Sequence, residues 1–185
     1  MTTTEARRID FPTVIAIAAI AGLVANQLHE AEATLRHSIA EQPDALWLRL
    51  ILFAVQRKQG EGNQAVSELR AFVKENDDDE WPAPLASFYL GESNEEALLA
   101  AAGDEDDEAH ESHLCEANYY AGLFYATQSP PDLTRARARF DAAASSPASD
   151  LEKGFAEQDR RQMDREQAIH PHPQPNPHPV PQKKN

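Results

Sequence analysis

The feature that most constrains this chain is a repeated spacing. Ala31, Leu35 and Ser38 recur 34 residues later as Ala65, Leu69 and Phe72, and Trp47 recurs at the same distance as Trp81. A period of this length matches one helix–turn–helix unit, which cannot bury its apolar face alone and must stack on a neighbour. A third unit follows downstream, where Tyr119, Gly122 and Tyr125 precede Ala136, Phe140 and Ala143. The expected fold is all-α: a right-handed helical solenoid of about three helix pairs, one degenerate, closed by a capping helix and followed by a disordered Pro/His-rich tail.

Punctuation divides the chain into a polar N-terminus (1–10), a helical domain (11–168) and the tail (169–185). The apolar pattern predicts a first helix over 11–25, started by Pro12, and a second over 29–41, stopped by Pro43. Residues 44–58 are apolar nearly all round, the mark of a helix packed on several sides, and Gly60 ends them. A helix over 63–74 leads into the acidic run 75–80. A compressed pair follows at 85–90 and 95–102, then a second acidic loop at 103–108. Helices over 109–127, 132–145 and 150–167 complete the domain. From His170 a proline stands at every second position through Pro181, which removes backbone donors and favours polyproline II.

With 185 residues, 41% of them apolar, the chain is sized for one core. Its formal charge of −14 opposes nucleic acid and anionic membranes, both of which need Lys and Arg to neutralise phosphates. It favours a basic or amphipathic protein partner. The single cysteine, Cys115, rules out an internal disulfide and fits a reducing compartment. Arg7-Arg8 ahead of the apolar run gives the N-terminus the look of a signal peptide, but Glu5, Asp10 and Pro12 interrupt that pattern, and the run is too short to span a bilayer. The expectation is a retained first helix and a cytoplasmic protein, periplasmic only if residues 1–25 are cleaved.

From Trp81 to about Phe155, the sequence Trp81-Pro82-x-Pro84-Leu85, Phe88-Tyr89-Leu90-Gly91, Glu96-Ala97-Leu98-Leu99, Leu114-Cys115-Glu116-Ala117, Tyr119-Tyr120-x-Gly122 resembles tetratricopeptide proteins of the bacterial, NlpI-like envelope type. That resemblance implies a non-enzymatic adaptor that docks other proteins, with no catalytic residues to carry over. The chain departs from it in having no lipobox cysteine. In length, charge and repeat number it is also similar to the small tetratricopeptide chaperones of type III secretion, which hold hydrophobic clients. A self-associating structural subunit is the alternative from another class.

In such repeats the first helix of each pair lines a concave groove. The residues expected there are Trp47, Leu50, Ala54 and Arg57, then Phe88, then Glu116, Tyr119 and Leu123. Aromatic side chains would bury an apolar anchor, and Glu116 would favour a basic residue beside it. The acidic loops lack the alternating ligands and distal glutamate of a calcium loop. His110, His113 and Cys115 cannot converge on a metal from one helix, because Cys115 points about 200° from His113 at about 100° per residue. No nucleophile elbow, phosphate loop or dinucleotide fingerprint occurs. The sequence therefore predicts no cofactor, no metal and no catalytic residue.

Overall fold

A computed structural model describes residues 27–76, 80–103, 107–148 and 150–169. The expected helix over 11–25, the N-terminal segment, the tail and parts of both acidic loops lie outside those residues. Among the described residues there are eight α-helices and no strand: α1 (Leu28–Glu41), α2 (Leu46–Lys58), α3 (Gly62–Glu75), α4 (Ala83–Tyr89), α5 (Glu95–Ala101), α6 (Asp107–Ala126), α7 (Leu133–Ala144) and α8 (Leu151–Ile169). Every helix expected beyond residue 28 is present, with ends within two residues of the sequence reading.

Local chemistry sets the ends. Gly60 and Gly91, just past α2 and α4, take φ of 87° and 73°, left-handed conformations that only glycine adopts cheaply. The Asn94 side chain caps α5 by accepting from the Ala97 backbone N–H at 2.8 Å, and Asp132 caps α7 by accepting from that of Arg135 at 3.0 Å. Pro84 sits in the first turn of α4, where its missing N–H costs nothing.

Each helix packs on the next in sequence, and a second row of contacts joins α2 to α4, α4 to α6 and α6 to α8. The most enclosed element is α2, which meets α1, α3, α4 and α6; Leu48 and the whole run from Leu50 to Gln56 are buried. At the other end, α7 and α8 run antiparallel, tied by ion pairs of Arg137 with Asp164 and Arg160 with Asp141. None of the described helices is long and apolar enough to cross a membrane.

Candidate functional site

The structure separates the residues that the sequence places in one groove. Leu50 and Tyr119 are 0% exposed, Leu123 3% and Phe88 5%, and Ala54 is sealed beside Leu50. These side chains are core, which corrects the expectation that they line an open surface. The physical reason is the number of neighbours. The four helices around α2 leave no free face at Leu50 or Ala54. The packing of α7 and α8 on α6 covers Tyr119, whose ring lies 6.0 Å from Phe140 and 5.8 Å from Phe155. Phe88 packs within a cluster of rings from three helices, 4.8 Å from Phe124, while Tyr89 reaches Phe53 at 5.0 Å.

Glu116 has a partner of a different kind from the basic ligand expected of it. Its carboxylate accepts a 2.8 Å hydrogen bond from Nε1 of Trp81, whose indole stacks on His113 at 4.7 Å. Burial raises the Glu116 pKa above the ordinary carboxylate range, against the lowering effect of that hydrogen bond. Arg57 stays half-buried, with its guanidinium 4.5 Å from the Phe124 ring centroid and 5.6 Å from that of Phe53. It bridges α2 to α6, and desolvation lowers its pKa. Cation–π contact is thus its principal interaction among the described residues.

Trp47 remains available. It is half-buried at the start of α2, in the wall of an open cleft of about 860 Å³ formed where α2 begins, α3 ends and α4 begins. Leu46 stands beside it, Phe72 and Val73 come from α3, Pro82 precedes α4 and Pro84 lies in its first turn. Ala97 and Leu98 of α5 close the far side. The wall is braced from behind: Arg49 lies 4.1 Å over the Phe72 ring and its Nη2 donates to the Pro43 carbonyl at 2.6 Å. Asp44 is in the lining, and Glu75 and Glu80 stand exposed on the segments that lead into it.

The two tryptophans that share the 34-residue spacing therefore differ in chemistry. Trp81 has its N–H satisfied by Glu116, whereas no described residue accepts a hydrogen bond from Trp47, whose N–H is not among the sealed groups without partners. The cleft thus combines apolar walls, a solvent-reachable donor and carboxylates nearby. Phe72, Pro82 and Pro84 belong to this site and are absent from the groove expected from sequence. The signal that pointed to them is Trp-Pro-x-Pro after an acidic run, which marks an apolar corner beside carboxylates.

Among the described residues no group of three or more His, Cys, Asp or Glu side chains is arranged to hold a metal ion. No known protein-family model matches the chain.

Proposed function

We propose that this protein is a non-enzymatic interaction module of tetratricopeptide type, an adaptor that holds a basic, amphipathic segment of a partner protein in the Trp47 cleft. The repeat reading is supported by the second row of contacts, in which α2, α4, α6 and α8 follow one another as the first helices of successive pairs. By that assignment α1, α3, α5 and α7 are second helices, and α8 caps the array.

The observation that carries the functional reading is the cleft itself, about 860 Å³ with Trp47 and Phe72 in its wall. A volume of this size accommodates one or two large side chains and adjoining backbone. Asp44, with Glu75 exposed nearby, sets the preference for Lys or Arg beside the anchor, in a chain whose net charge would also draw a basic partner.

The test is a peptide-display selection against the full chain and against its Trp47→Ala variant. Enrichment of an aliphatic or aromatic residue flanked by Lys or Arg, lost on the variant, is the expected result. Selection of the same peptides by both proteins would move the binding site elsewhere.

A further inference from the structure

Two of the three large apolar side chains that the described residues leave exposed stand at one end of the last helix pair. Leu133 opens α7 and is 50% exposed; Ile169 closes α8 and is 69% exposed. Because the two helices run antiparallel, those residues flank the same end, where a cleft of about 570 Å³ lies between Leu133, Ala138 and Met163, with Arg137, Asp141 and Glu166 also in its lining. It shares no lining residue with the Trp47 cleft.

Charge identifies what can cover this end. Residues 132–169 carry seven Lys or Arg and eight Asp or Glu, a net of −1, so the other residues hold −13 of the chain's −14. Two copies would repel one another through their acidic parts. At the α7–α8 end that repulsion nearly vanishes, and both signs are interleaved: Arg137 with Asp164 and Arg160 with Asp141 surround the apolar centre. A patch with an apolar centre and interleaved charges of both signs can be complementary to itself, as a two-fold contact requires.

The geometry points to the Leu133–Ile169 end of α7 and α8 as a self-association surface, whose occupant is a second copy of this chain. Each copy seats its Ile169 in the Leu133–Met163 cleft of the other. This goes beyond the peptide-binding reading and leaves the Trp47 cleft of each copy free, so the assembly would present two peptide sites.

Sedimentation equilibrium of the full chain over a wide concentration range tests it. The apparent mass should rise from one chain towards two, and Leu133→Asp and Ile169→Lys should each weaken association about tenfold or more. Both substitutions suit the helix ends they occupy, an acid at a start and a base at a finish, and both sites are exposed, so folding is preserved and far-UV circular dichroism checks it. Trp47→Ala should leave the association unchanged. A chain that stays monomeric throughout overturns the proposal, whether the cleft is then bare or covered by the chain's own residues 170–185. So does a dimer that survives both end substitutions, or one that Trp47→Ala dissociates.

Discussion

Gly122 lies against the ring of Phe140, so close that a Cβ at position 122 would stand 2.6 Å from Cδ1 and 2.7 Å from Cε1. Phe140 is itself fully buried. In an open helix Gly→Ala gains roughly 0.5–1 kcal/mol. Here overpacking of about 1–3 kcal/mol reverses that sign. Urea unfolding of Gly122→Ala should show a lower midpoint, and the added change Phe140→Leu should recover part of the loss.

Tyr119 and Trp47 should separate stability from binding. Tyr119→Ala empties a site in the core and should cost about 3–5 kcal/mol. Its hydroxyl is sealed without a hydrogen-bond partner, so Tyr119→Phe should be neutral or stabilising by up to about 1 kcal/mol. Trp47→Ala, at the cleft, should leave most of the stability in place while abolishing capture of the selected peptides. Denaturant melts run alongside peptide titration would decide both points.

The seating of α8 should depend on pH. Burial pushes Glu152 up to about 7, with Glu116 and Asp150 nearby adding to the rise; it pushes Asp159 up to about 7 as well, against the lowering influence of Lys58. Both carboxyls bind protons more tightly in the folded chain than in the unfolded one. Their contribution is therefore complete below about pH 4 and lost as pH rises through 7, an effect of roughly 3–4 kcal/mol per group. Stability measured between pH 5 and 8 should fall with rising pH on their account, and Asp159→Asn should flatten the slope.

The Trp81–Glu116 hydrogen bond gives a further test. Glu116→Gln keeps an acceptor for the indole and removes a buried carboxylate, so it should be close to neutral at pH 7. Glu116→Leu strands the indole N–H and should cost about 1–3 kcal/mol, accompanied by a shift in tryptophan emission.

Helix positions were legible because their determinants are local: Pro43 after α1, Gly60 after α2, Asn94 before α5, and small residues at Ala31 and Ala65 in matching places. The site was legible only in Trp47. One residue along a helix is a rotation of about 100°, and the sequence pattern alone does not say that Leu123 is sealed in the core while its neighbour Phe124 is only partly buried. Nor does an apolar pattern say whether the partner of Leu50 is another molecule or another helix of the same chain. The fates of Trp47 and Trp81 diverge through Glu116 and His113, which arrive from α6, more than thirty residues beyond Trp81. No local reading of either tryptophan contains that difference.

The shortened pair has one more consequence. α4 and α5 are only seven residues each, and α2 and α6 on either side of them touch directly, with Arg57 4.5 Å from the Phe124 ring centroid. In an array where every unit holds only its immediate neighbours, heat can open a weak link in the middle and leave two intact halves. The direct α2–α6 contact, of which Arg57 is part, ties together the elements on either side of the short pair. Melting the short pair means parting its neighbours too, so thermal unzipping should begin at the ends and run through the centre as one transition.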